Sequence, residues 1–306
     1  MTEKKYHGVI IPAVTPLTAN YQLDTEAVEK MFNNFYAHQV HPFILGTTGE
    51  SVSLSGQVKR DYLKAAHKNK KQNTFLYAGI SSNCLQESID FANQCADFGV
   101  DAVAATLPAY YALTESQMKT YFEQLANAIK VPLIIYNIPA TTHMSIPLSL
   151  IDDLSHHHNI VGTKDSERSE ERLNQSLKLW KERKDFSHFL GWAAKSAYAL
   201  INGSDGLIPS TGNLIPAIYT AMEKAVADGD EVKAHQMQYL SDVFGNIYQA
   251  GKTLGESLWA LKVLMKQVNL CQPIVMPPLQ SQSKDHEIEL LATFKEILEK
   301  EKLVIS

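Results

Sequence analysis

LIIYNIPATTHMSIPLSLIDDLSHHHNIVGTKDS, residues 133–166, sets the reading of the whole chain. Leu133–Tyr136 and Ile160–Lys164 are short apolar runs, and the apolar spacing near Leu148–Ser155 predicts a helix between them. A run apolar on both faces is covered on both faces, as in a parallel sheet with helical crossovers. The same unit recurs on either side. Upstream, strands are predicted at Gly8–Val14, Phe43–Leu45, Thr74–Ala78 and Ala102–Ala105. Between them, Asp24 is placed to cap a helix that turns Ala27, Val28, Met31, Phe32 and Phe35 inward. Further helices are read near Ser55–Lys68, at Gln86–Phe98 and at Glu115–Ala128, the last with Met118, Phe122, Leu125 and Ala126 inward. Downstream come a helix near Glu167–Lys181, the strand His188–Gly191, a helix near Lys195–Ile201 and the short strand Gly206–Ile208.

Eight strand-like runs, each followed by a helix, predict an α/β chain folded as a (β/α)8 TIM barrel. A doubly wound open sheet is the alternative architecture. Beyond about residue 213 strand signals stop: Leu214–Asp228, Glu231–Gln249, Leu254–Val268 and Glu287–Lys300 read as helices, with a proline-rich connection from Pro273 to Pro278. Residues 1–228 are therefore expected to form the barrel with its last helix. Residues 229–306 are expected to form a C-terminal helical domain packed on it.

Composition narrows the function classes. Lys and Arg number 28 against 33 Asp and Glu, a formal charge of -5, with no basic stripe to meet a phosphate backbone. Hydrophobic residues are 45% and charged residues 20%, which suits a large core. No apolar run reaches membrane-spanning length, and Met1–His7 is polar with no signal-peptide core after it. The expectation is a soluble cytoplasmic protein without nucleic-acid or membrane partners. Cys84, Cys95 and Cys271 form no CxxC pair and are read as reduced core or near-core residues. His156–His158 is read as a solvated helix end rather than a metal site.

On a barrel the chemistry gathers at the C-terminal ends of strands. Three such ends carry suitable groups: Gly46-Thr47-Thr48-Gly49-Glu50, Tyr136 and Lys164. A lysine at the mouth of a buried barrel is open to desolvation, which favours its neutral amine. That amine can attack a ketone to give an iminium, an electron sink for the adjacent carbon. A surface lysine opening the next loop is the other role for Lys164. Tyr136 suits a proton shuttle or an aromatic cap. The GTTGE turn offers hydroxyls and backbone N–H groups to a carboxylate or phosphate, or is simply a glycine-rich turn. It is neither a Walker motif nor a dinucleotide fingerprint.

Taken in order, GVIIPAVTPL at 8–17, GTTGE at 46–50, LPAYY at 107–111, YNIPA at 136–140, GTKDS at 162–166 and GSDGLIPSTGN at 203–213 form a pattern. Through it the chain resembles the N-acetylneuraminate lyase / dihydrodipicolinate synthase family of class I pyruvate-dependent aldolases over nearly its full length. The resemblance implies a (β/α)8 barrel with a C-terminal helical extension and a Schiff-base carbon–carbon or carbon–oxygen lyase that needs no metal or organic cofactor. By it, Lys164 bonds pyruvate or another 2-oxo acid and Tyr136 carries protons. Thr47 and Thr48 hold the carboxylate, with Thr47 also linking the tyrosines. Tyr110 matches a tyrosine lent to the neighbouring site across a tight dimer interface, in what is usually a homotetramer built as a dimer of dimers. Gly191 and Ile208 match backbone positions lining the pyruvate pocket, and Ser210 a loop residue near the distal part of the substrate.

Departures from the pattern bear on the substrate. Thr141 stands where dihydrodipicolinate synthases carry an arginine for the aldehyde's carboxylate, and loss of a bidentate donor is not conservative. Ala109 replaces an aromatic residue, and His143 a glycine. Gly191 is followed by Trp192-Ala193-Ala194-Lys195, with no acidic residue for a sialic-acid polyol. The expectation is cleavage or formation of a 2-keto-3-deoxy sugar acid, with Thr141 and Trp192 shaping the distal pocket or Trp192 only packing beneath the loop. The alternatives are dihydrodipicolinate synthase, N-acetylneuraminate lyase and a non-catalytic metabolite-binding barrel.

Overall fold

A computed structural model describes residues 4–303. The eight strands are β1 (Gly8–Pro12), β2 (His41–Ile44), β3 (Tyr77–Gly79), β4 (Ala102–Ala105), β5 (Leu133–Asn137), β6 (Ile160–Asp165), β7 (Ser187–Leu190) and β8 (Gly206–Leu207). They run in the order β1 to β8 and close as a barrel, so the barrel and not the open sheet is the architecture. Helices lie between successive strands, and among the described residues a 3-10 turn, Ser210–Asn213, and four α-helices follow β8: Pro216–Ala227, Glu231–Gln249, Leu254–Gln267 and Lys284–Glu301. No helix among the described residues is long and apolar enough to cross a membrane.

The chain divides into two compact units: the N-terminal segment up to Ile10 with Phe75–Pro209, and Ile11–Thr74 with the chain from Ser210 onward. In the first, β3 to β8 pair in parallel, with Tyr136 opposite Lys164, Lys164 opposite Phe189, and Phe189 opposite Gly206. Gly206 also pairs with Gly8 of β1, where a Cβ would lie 2.2 Å from the Gly8 carbonyl oxygen. Only glycine lets these two backbones approach so closely. Lys4 Nζ donates to the carbonyls of Trp180 and Phe186 and to Asp205 Oδ2, 2.8 Å away. Asp205 Oδ2 in turn accepts from the His188 amide at 2.7 Å. His188 is buried between Ser176 and Ser204, and burial, with Lys4 and Arg172 adding to it, pushes its pKa down to about 3.

In the second unit Asp24 caps the helix Thr25–Ala37, and all five residues expected on its inner face are buried. Tyr62 donates to the Val14 carbonyl, and Asn213 joins the backbone of Pro12 and Val14 to the segment after β8. The C-terminal helices meet through Phe244 against Phe294 and through the Tyr219–Ser241 hydroxyl pair.

Differences from the sequence reading have local causes. Strand β2 ends at Ile44 because Leu45 adopts a left-handed conformation, φ 58°. Strand β3 begins at Tyr77, after the Leu76 amide has turned to Asp101 Oδ2. A short helix, Pro139–Thr142, lies in the loop after β5 and ends at His143 with φ 58°. Cys95 and Cys271 are buried, and burial raises each thiol to about 12. Cys84, expected near the core, is exposed at the cap of the helix Leu85–Asp97. His157 bonds Asn127 and the Asn159 amide and stacks on His158.

Candidate active site

Strands β5 and β6 set the central pair. In-register neighbours on parallel strands project to the same face, so Tyr136 and Lys164 stand side by side. Lys164 Nζ lies 4.0 Å from the centroid of the Tyr136 ring, and both residues are 4% exposed. A cation held over an aromatic face is attracted by the ring quadrupole. When the amine is neutral, the same geometry keeps it beside a phenol.

One residue further on, Asn137 and Asp165 project to the opposite face and build a polar network that the sequence did not reveal. Asp165 Oδ2 accepts from Arg172 Nε at 2.6 Å, while Oδ1 accepts from Asn137 Nδ2 at 3.0 Å and the Glu167 amide at 2.9 Å. Glu167 Oε2 accepts from Asn137 Nδ2 at 3.0 Å and Ser145 Oγ at 2.6 Å, and lies 3.4 Å from Arg172 Nε. Asn137 Oδ1 accepts the Ile146 amide at 3.1 Å. The residues that directly follow Tyr136 and Lys164 are thus locked to each other, to the helix Glu170–Trp180 and to the loop 138–146. Such a network is what holds two functional side chains to a narrow geometry. A buried carboxylate immediately after the lysine, with an arginine on the next helix, was the available signal in GTKDS and the residues after it.

The other residues singled out from sequence fall as follows. The Gly191 amide donates to the Asp165 carbonyl at 2.7 Å, and the Ile208 amide to that of Leu190 at 2.8 Å, so both continue the strand ends beside Lys164. A Cβ on Gly191 would lie 2.1 Å from Ser166 Oγ and 3.2 Å from the Asp165 carbonyl oxygen, so a larger residue would require Ser166 to move and the strand end to yield slightly. Thr141 is half-buried in the short helix after β5, its hydroxyl 3.3 Å from the Ile138 carbonyl oxygen. Trp192 is half-buried, with Lys195 Nζ 5.6 Å from its ring and in an ion pair with Glu170. Tyr110 is 78% exposed and packs edge-on against Tyr111.

In the second unit, Thr47 and Thr48 are half-buried in the turn after β2. That turn is closed by the Gly49 amide on the Gly46 carbonyl and the Glu50 amide on the Thr47 carbonyl, each at 3.1 Å. Leu45 and Glu50 flank it in left-handed conformations, φ 58° and 57°. Such conformations cost a residue with a Cβ about 1 kcal/mol each and collect at functional turns. Ser210 Oγ shares a hydroxyl cluster with Tyr248, 2.7 Å away, and Tyr248 also meets Thr211 and Gln249.

The chain is similar to known proteins over nearly its whole length. The model of the dihydrodipicolinate synthetase family matches residues 5–297. An uncharacterized DapA-like lyase of Thermofilum pendens is 28% identical over 297 residues, 96% of this chain and 98% of that protein. The 4-hydroxy-tetrahydrodipicolinate synthase of Thermosipho africanus is 28% identical over 236 residues, 76% of this chain and 80% of its own. Among solved structures, the dihydrodipicolinate synthase of Bacteroides thetaiotaomicron superposes with a TM-score of 0.90 at 26% identity, over 96% of this chain and all of that one. YagE, a prophage protein of E. coli K12 solved in complex with pyruvate, has a TM-score of 0.90 at 24% identity, over 98% of this chain and 100% of its own. With the closed barrel, the ordered motifs and a family match over almost every residue, the chain belongs to the dihydrodipicolinate synthetase family.

Proposed function

We propose that this protein is a class I lyase that bonds pyruvate, or the pyruvate portion of a 2-oxo acid, to Lys164. The observation that carries the reading is the buried Lys164 amine 4.0 Å over the Tyr136 ring at adjoining strand ends. The neutral amine adds to the ketone, and loss of water leaves an iminium. In the cleavage direction the bond between C3 and C4 breaks as the C4 hydroxyl loses its proton. An aldehyde departs, and the electron pair enters the iminium to give an enamine. Protonation at C3 and hydrolysis then release pyruvate and free Lys164. Tyr136 moves the protons of these steps. Thr47 and Thr48 hold the carboxylate, Gly191 and Ile208 line the bound pyruvate unit with their backbones, and Thr141 and Ser210 face the remainder of the substrate. Tyr110, exposed in the single chain, serves a neighbouring copy in a homo-oligomer.

The substrate we favour is a 2-keto-3-deoxy sugar acid. Thr141 offers no bidentate donor to a second carboxylate, which weighs against aspartate semialdehyde. The residues after Gly191 offer no carboxylate to a nine-carbon polyol chain, which weighs against N-acetylneuraminate. The test is pyruvate release from a panel of 2-keto-3-deoxy acids, run beside condensation of pyruvate with aspartate semialdehyde. Lys164→Ala is expected to lower the rate at least ~10³-fold and Tyr136→Phe about 10²-fold. Turnover unaffected by Lys164→Ala would overturn the mechanism. Condensation exceeding every cleavage would overturn the substrate.

A further inference from the structure

Lys262 is a cation in an otherwise apolar stretch, LWALKVLM at 258–265, and every residue of that stretch is buried. Its side chain and that of Glu50 are both 0% exposed and form an ion pair. Lys262 Nζ also donates to the carbonyls of Thr15, at 2.7 Å, and Ile274, at 2.6 Å. The three donors of an ammonium thereby meet three acceptors. Glu50 Oε2 accepts the Met276 amide at 2.6 Å. Thr15 closes the triangle, its hydroxyl donating to the Gly49 carbonyl at 2.6 Å.

We infer that Lys262 and Glu50 are positioning residues. On this reading they fix the Thr47–Thr48 turn against the C-terminal helix Leu254–Gln267, so that the two hydroxyls meet a substrate carboxylate. The inference rests on the proposed role of Thr47 and Thr48. A buried ion pair is weak evidence for a stability role, because apolar residues of similar volume usually serve as well or better. This pair offers direction instead. Glu50 is the last residue of the turn, its amide is bonded to the Thr47 carbonyl, and it occupies a left-handed conformation. A shift at Glu50 therefore passes through one hydrogen bond to the Thr47 peptide. Binding groups must be held to about half an ångström, and a misplacement of about 1 Å costs on the order of 100-fold. The C-terminal extension thereby acquires a task in substrate binding, reaching the turn through Lys262 and the Met276 amide.

Removing Lys262 alone would strand a buried carboxylate, so the informative variant is the double Lys262→Met/Glu50→Gln, which removes both charges and keeps an acceptor for the Met276 amide. Borohydride trapping is measured against pyruvate concentration and, separately, against acetone, a ketone without a carboxylate. Expected for the folded double variant are a rise in half-saturating pyruvate of about 10-fold or more, and maximal trapping and acetone trapping within about twofold of the parent. Half-saturation unchanged, or pyruvate and acetone trapping falling together, overturns the positioning role. If the parent itself forms no adduct with pyruvate, the functional reading falls and the inference with it, a result distinct from either of those.

Discussion

Arg172→Met tests whether the network behind the Lys164–Tyr136 pair holds it in place. Arg172 and Asp165 are 11% and 6% exposed at the side chain and meet at 2.6 Å, so their pair is nearly desolvated. Truncating one member of a buried pair costs about 3–5 kcal/mol, because the other charge is left uncompensated. Here Asp165 Oδ1 would keep its bonds from Asn137 and the Glu167 amide, while Oδ2 loses its donor. Glu167 would lose its nearby cation as well. The lower end, about 3 kcal/mol, is therefore expected. Unfolding entropy of about 2 cal/mol/K per residue turns this into a fall in Tm of about 5 °C. Chemical denaturation and calorimetry read it directly. Asp165→Asn in the Arg172→Met background removes the stranded charge and should recover about 1–2 kcal/mol relative to the sum of the single variants. Arg172→Met should also slow adduct formation at Lys164. A stability within about 0.5 kcal/mol of the parent, or strict additivity of the two substitutions, would refute the reasoning.

His188 supplies a pH dependence. Its pKa is about 3 in the fold and about 6.5 when unfolded, so between those values the unfolded chain binds more protons. The contribution is present above pH 6.5 and is lost as pH falls toward 3, by about 2 kcal/mol between pH 7 and pH 5. Denaturation of the parent and His188→Asn at the two pH values should show that difference in slope, and parallel curves would contradict it. Gly191→Ala would bring a Cβ to 3.1 Å from Ser166 Cβ and 3.2 Å from the Asp165 carbonyl oxygen, besides the clash with Ser166 Oγ. The expected destabilisation is about 1–3 kcal/mol, partly relieved by adding Ser166→Ala. Wild-type stability and full adduct formation would argue against close packing at that strand end.

Long periodic segments were the most legible part of the fold. The helices Glu115–Ala128 and Glu231–Gln249 and the strand Ala102–Ala105 coincide with their sequence expectations, and the apolar stripes chosen for two helices are buried. Strand ends were less so, because they are decided by single conformations and polar caps, such as Leu45 at φ 58° and Asp101 on the Leu76 amide. The helix Pro139–Thr142 has four residues, too few to show a period. Lys164 and Tyr136 were marked by their places at two successive strand ends, and their partnership was implied by the family resemblance. What was not read were the partners that only tertiary packing brings together. Arg172 meets Asp165 only once the helix after β6 packs back on the sheet. Glu50 and Lys262 are 212 residues apart, and one sequence carries no pattern linking them beyond a lysine alone among apolar neighbours.

The central claim is the covalent bond to Lys164, and borohydride reduction in the presence of pyruvate tests it most directly. Intact mass and peptide mapping should find a single reduced pyruvate adduct on Lys164, absent from Lys164→Ala. An adduct on another lysine, or none in folded parent protein, would contradict it.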